Sequence, residues 1–309
     1  MIMILILVVK ALPLTAAVSA ALAAAALAAC GSDDGDGSVT VAATTGINAD
    51  IAQALAGPDA DVEQIVPDGA SPHDFELSAE DRQRLEEADL VVANGAGLEA
   101  GIPLDDLDAP TWEMTQHVGA LRRPLEVEGA EEEGEETSDP HVWMDPTRVA
   151  EAVPSLAGAL AEADPEHGAE YRRRAERYAK RLRSLDGQMA RTLKRVPPQD
   201  RELVTSHDAV GYFADRYGFD VVATAFPATG PEAETSAARL DEVEDAVRES
   251  DVPAVFAQET DDPEALELVA GETGVEVNYG LLVESPGSAG SYEGMLRRDA
   301  NLVARSLGG

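Results

Sequence analysis

The chain has 309 residues, with 23 Lys+Arg against 59 Asp+Glu, a formal net charge of −36 and a single cysteine. So acidic a chain excludes nucleic acid as a partner, because phosphate backbones are held by clustered Lys and Arg. One cysteine excludes an intramolecular disulfide, and the charge, spread over the whole length, reads as solubility in a high-salt habitat.

The N-terminus speaks to compartment. Residues 1–9 (MIMILILVV) precede Lys10, the only basic residue of the segment, an abnormal order that suggests true initiation near Val8 or Val9. Residues 11–29 are almost wholly apolar and end in Leu27-Ala28-Ala29-Cys30, which resembles the lipobox of bacterial-type lipoproteins. Residues 1–30 are therefore read as a lipoprotein signal peptide with Cys30 the lipidated residue. A plain secretory signal or an N-terminal membrane anchor are the alternatives. Residues 31–38 (GSDDGDGS) form a flexible tether. No later apolar run is long enough to span a bilayer, so the domain is expected outside the cytoplasmic membrane and anchored to it by lipid.

From residue 38 the chain alternates. SVTVAAT reads as a strand, INADIAQALAG as a helix closed by Gly57, and DVEQIVP as a strand that delivers the loop SPHDFELS. SAEDRQRLEEA is a helix with Ser78 as its N-cap, ADLVVANGA a buried strand, and APTWEMT and LRRPLEV shorter strands. Over 165–195, Tyr171, Ala175, Tyr178, Leu182, Leu185, Met189 and Leu193 recur every three or four positions against an Arg-rich face, which predicts one long amphipathic helix. The second half repeats the logic: ELVTSHD, DVVATAF, VPAVFAQET and VEVNYGLLVES as strands, with four helical segments between and after them. This predicts an α/β fold of two (β/α)-type lobes with mostly parallel sheets joined by a rigid spine helix: lobes at 39–163 and 197–309, linking helix at 164–196.

Three of the five histidines sit in separate motifs, His73 in SPHDFELS, His141 in SDPHVWMDP and His207 in TSHDAVGYF, and Glu284 follows in LLVESPGSAG. Three imidazoles and a carboxylate fill a tetrahedral shell suited to zinc. Ligands so far apart in sequence converge only if each sits on a loop of a larger fold.

The chain resembles the metal-binding solute-binding lipoproteins of ABC importers, the zinc and manganese receptors. The resemblance is carried by Pro72-His73 with Phe75-Glu76, by Asp139-Pro140-His141-Val142-Trp143-Met144-Asp145-Pro146, by His207-Asp208 with Gly211-Tyr212-Phe213, and by Ser291-Tyr292 with Met295. It implies metal ligation by His73, His141, His207 and Glu284 in a cleft between the lobes, and a membrane permease of an ABC importer as partner. The family usually has Asp where this chain has Glu284, which puts the denticity of that ligand in question. Zn2+ is the expected cargo, Mn2+ the alternative, and a monomer the expected state.

Glu76, Asp145 and Asp208 are candidates to accept the outer N–H of the ligand imidazoles; Asp145 could equally cap a helix starting at Pro146. The segment 126–137 carries seven Glu and no His, and reads as a solvated acidic loop. His117 and His167 match no ligand motif, and Trp112 and Trp143 read as core or cleft wall. Binding needs neutral imidazoles, so affinity is expected to fall below about pH 6.5. A zinc hydrolase using the three histidines is opposed by the absence of HExxH and GxSxG. An adhesin-type surface lipoprotein is the third class.

Overall fold

The computed structural model describes residues 38–124, 136–226, 237–250, 252–259 and 264–308. The signal segment with Cys30, the tether up to residue 37 and the bulk of the Glu-rich segment, residues 125–135, lie outside the described residues.

Short β-branched runs build the first sheet. Strands β1 (Val39–Ala43), β2 (Ala60–Gln64), β3 (Leu90–Ala93) and β4 (Thr111–Glu113) pair in parallel in the order β2-β1-β3-β4. Parallel pairing demands a crossover between strands, and helices α1 (Gly46–Ala56) and α2 (Ala79–Glu87) are two of these. Each is started by a hydroxyl cap: Thr45 accepts from the Asn48 N–H, and Ser78 from the Asp81 N–H. The chain then makes a small antiparallel ribbon of β5 (Arg122–Pro124) and β6 (Glu136–Ser138).

Two long helices follow. α3 (Pro146–Ala163) contains Pro154, and only its start was legible in the sequence. Proline has no N–H to donate to the carbonyl four residues back, so the Ala150 oxygen loses its helical partner. Arg183, from the next helix, donates to that oxygen at 3.4 Å. The expected spine helix is α4 (Gly168–Leu193), whose 26 residues span about 39 Å. It is shorter than the 164–196 expected, because Asp164 closes α3 and a turn intervenes before Gly168. His167 ends that turn, its Nδ1 2.7 Å from Asp164.

The second parallel sheet has the order β10-β9-β7-β8, from β7 (Glu202–His207), β8 (Asp220–Phe226), β9 (Ala254–Gln258) and β10 (Glu276–Leu281). Helices α5 (Gly211–Tyr217), α6 (Ala237–Ser250), α7 (Glu264–Thr273) and α8 (Tyr292–Ser306) accompany it. The two parallel-sheet α/β lobes expected from the alternation are both present. The apolar stripe of α4 faces α1, α3 and α8, and the resulting core runs without a break from Val41 and Leu55, through Leu182, to Phe256 and Leu296. No helix among the described residues is long and apolar enough to cross a membrane.

Candidate metal centre

Each lobe sends two polar side chains to one place, from the carboxyl ends of its strands. His73 lies on the segment after β2, which first continues the sheet through Ile65 N–H to Ala43 O and Val66 N–H to Thr44 O. Beyond Pro67 it turns, and Gly101 lets the Phe75 carbonyl approach so closely that a Cβ there would overlap it. His141 follows β6 and is held by its neighbours. Asn94 donates to the Pro140 carbonyl at 2.8 Å, and the Tyr212 hydroxyl, from the other lobe, donates to the Asp139 carbonyl at 3.1 Å. Asn94 is itself set by Glu99, a buried carboxylate that accepts from the Asn94 and Gly95 N–H groups and the Thr44 hydroxyl. His207 is the last residue of β7, and Glu284 lies three residues beyond β10.

One imidazole nitrogen from each of His73, His141 and His207 lies within 4.8 Å of the other two, and Glu284 stands beside this group of three without belonging to it. The His73 and His141 Nε2 atoms are 3.3 Å apart. Glu284 Oε1 is 3.6 Å from His73 Nε2 and 3.7 Å from His207 Nε2, with the Ser71 hydroxyl 3.5 Å away. His141 is fully buried and His73 nearly so, while the His207 and Glu284 side chains keep 12% and 11% exposure. The group therefore has a closed side toward the first lobe and an open side toward the second.

Three imidazoles this close cannot all be protonated. Burial, reinforced by the neighbouring His141 and His207, pulls the His73 pKa down to about 2. His73 thus presents a lone pair at any physiological pH. His141 is oriented from behind: Asp139 Oδ1 accepts from its backbone N–H at 2.9 Å and from ring Nδ1 at 2.8 Å. A carboxylate only accepts, so Nδ1 carries the proton and the Nε2 lone pair faces the group.

Asp139 was quoted in the sequence motif but not assigned this task; its position two residues before a histidine, across a proline, is the signal that could have found it. Of the three acids expected behind the rings, Asp145 caps α3, accepting from the Thr147 N–H at 2.8 Å, and pairs with Arg148. Asp208 is buried directly after His207. Glu76 lies where residues 74, 76 and 78 are exposed and 75 and 77 half-buried, the alternation of an extended segment, so its side chain faces solvent. His117 stacks on Trp112 and bonds to Ser155, and neither it nor His167 joins the group.

Residues 41–305 match the profile of a family described as zinc-uptake complex component A, periplasmic. The chain is 31% identical over 275 residues to the iron-binding protein YfeA of Yersinia pestis, covering 87% of this chain and 86% of that one. It is 30% identical over 282 residues to the manganese-binding lipoprotein MntA of Bacillus subtilis, covering 88% and 90%. Among solved structures, the periplasmic zinc-binding protein TroA of Treponema pallidum superposes with a TM-score of 0.79 at 25% identity, covering 88% of this chain and 99% of that one.

Proposed function

Because the chain belongs to the zinc-uptake component A family, the metal-binding receptors of ABC importers, we propose that its cargo is zinc and that His73, His141, His207 and Glu284 are the ligands. It is an extracytoplasmic receptor, not an enzyme. The observation that supports zinc is the spacing of the donor atoms. With bonds of about 2.0–2.1 Å, a tetrahedral zinc shell has edges of about 3.3–3.4 Å. Three of its six edges, at 3.3, 3.6 and 3.7 Å, need only a slight contraction, and the remaining donors must draw in further. The donor set is also nitrogen-rich, which suits zinc over manganese.

Manganese is the second reading, favoured by two observations. Glu284 has two oxygens and could add one to the shell, and relatives at 30–31% identity are named for manganese and iron. A competition titration of the metal-free chain against a chelator of known affinity separates the two. The expected result is one tight zinc site from which manganese is excluded; preference for manganese would overturn the cargo and leave the receptor role.

The segments 39–163 and 197–309 act in this reading as lobes linked through 164–196, with the metal bridging them. The chain passes its metal to a membrane permease and is anchored through Cys30, a reading supported by the Leu-Ala-Ala-Cys motif and by relatives named lipoproteins. Both are checked in cells. Deleting the gene should stop growth in zinc-depleted medium, with rescue by added zinc, and Cys30→Ala should move the protein from the membrane to the soluble fraction. Retention of the variant at the membrane would remove the anchor.

A further inference from the structure

The backbone that carries Glu284 is gripped on both sides by buried side chains that are not ligands. β10 ends at Leu281, and Leu282 and Val283 continue to Glu284 outside any strand. The Leu282 N–H donates to Asp299 Oδ1 of α8 at 3.0 Å, and the Val283 carbonyl accepts from Trp143 Nε1 at 2.7 Å. Asp299 and Trp143 are 1% and 2% exposed. Trp143 stands two residues after His141, and its own carbonyl accepts from the Tyr292 hydroxyl at 2.5 Å. The Tyr292 N–H in turn donates to Asp50 of α1 at 3.0 Å. The clamp is thus tied into both lobes.

We propose that Trp143 and Asp299 are positioning residues for Glu284, and that Trp143, reaching from the His141 segment, sets the spacing of His141 and Glu284 before metal arrives. The proposal rests on the reading of Glu284 as a ligand. A glutamate has one more side-chain torsion than an aspartate, so more freedom must be removed to hold its carboxylate in place. Fixing the two residues that precede it removes the backbone's share of the freedom, so that only the side-chain torsions are left to be ordered when metal binds. One Asp299 oxygen takes the Leu282 N–H, and the other is buried with no hydrogen-bond partner among the described residues. The accepting oxygen is what the grip needs, and an amide oxygen supplies the same acceptor without a charge to bury; burial already pushes this carboxyl well above the usual range.

The experiment compares the mature chain with W143F, D299N, D299L, E284A and the W143F/E284A double variant. Each is titrated with zinc against a chelator, and each is loaded with cobalt, whose visible absorption reports coordination number. W143F and D299L are expected to weaken zinc by about 10-fold or more and to change the cobalt spectrum, the size typical of lost outer contacts to metal ligands. D299N should stay near wild type. In the E284A background, W143F should cost nothing further, because its effect is transmitted through that carboxylate. Wild-type affinity and spectrum in both W143F and D299L would overturn the proposal. So would a W143F loss of equal size with and without Glu284, which would place its effect elsewhere. If W143F fails to fold, the contrast between D299N and D299L decides alone. Wild-type affinity in E284A is a separate failure, of the ligand assignment itself.

Discussion

His141→Ala is expected to weaken zinc binding by about 100- to 1000-fold. Structural zinc sites in small peptides are worth about 10–16 kcal/mol, so one ligand of four carries about 2.5–4 kcal/mol. Of the proposed ligands, His141 is the least able to be replaced by water, being fully buried against Asp139. The same substitution takes the ring N–H from the buried Asp139 carboxylate, which keeps the backbone N–H of residue 141, and the metal-free chain should lose about 1–3 kcal/mol of stability as well. Asp139→Asn separates the two effects. It keeps an acceptor for Nδ1 but removes the charge that raises the basicity of the ring, and about 10–100-fold in affinity should go with it. Chelator competition measures the affinities, and urea denaturation of the metal-free variants measures the stability. An affinity for His141→Ala within threefold of the parent would remove His141 from the ligand set.

Zinc is expected to raise the melting temperature strongly, and the buried His73 to cost the metal-free chain stability in acid. At a free zinc concentration 1,000 times Kd, the linked stabilisation is about 4.1 kcal/mol. A domain of this size gains about 2–4 °C per kcal/mol, so the shift is about 8–16 °C. The acid effect comes from His73. Unfolded, it titrates near 6.5; folded, it stays neutral down to about 2. Above pH 6.5 both states are neutral and His73 adds no pH dependence. Below it, the unfolded chain binds a proton that the folded chain refuses, and stability falls by about 1.4 kcal/mol per pH unit. His167 works in the opposite sense. Its hydrogen bond to Asp164 raises its pKa, so its contribution is full below 6.5 and is lost as pH rises through its folded value. It is solvent-exposed and screened. The buried carboxyls of Glu99 and Asp299, raised by burial, also oppose His73 by favouring the folded state as pH falls. Calorimetry of the metal-free chain and its His73→Ala variant from pH 7.5 to 4.5 isolates the His73 part: the parent should lose stability relative to the variant below pH 6.5. A difference between the two that stays constant down to pH 4.5 would show that His73 is not buried neutral.

The residue types and spacings that announced the strands, the hydroxyl caps and the α4 stripe are local, because a helix or strand is a relation among residues a few positions apart. Val39–Ala43, Ser78 and the run from Tyr171 to Leu193 were therefore legible before any fold was known. So were the three histidines, since each stands in its own short motif. α3 was legible only at its Asp145-Pro146 start, because Pro154 breaks the local pattern and its remedy, Arg183 on the Ala150 carbonyl, comes from another helix.

Which acid stands behind His141 could not be read from distance along the chain. Asp139, Asp145, Asp208 and Glu76 are all near a histidine in sequence, and the backbone direction at each decided that Asp139 bonds the ring, Asp145 caps a helix and Glu76 meets water. The grip of Trp143 on Val283 joins residues 140 positions apart. Sequence alone determined the element types, the two-lobed α/β class and the candidate donor residues, all properties of short segments. Tertiary structure decided the convergence of the donors, the neutral state of His73 and the side chains that hold the ligands, because these depend on how the lobes pack and on what that packing removes from water.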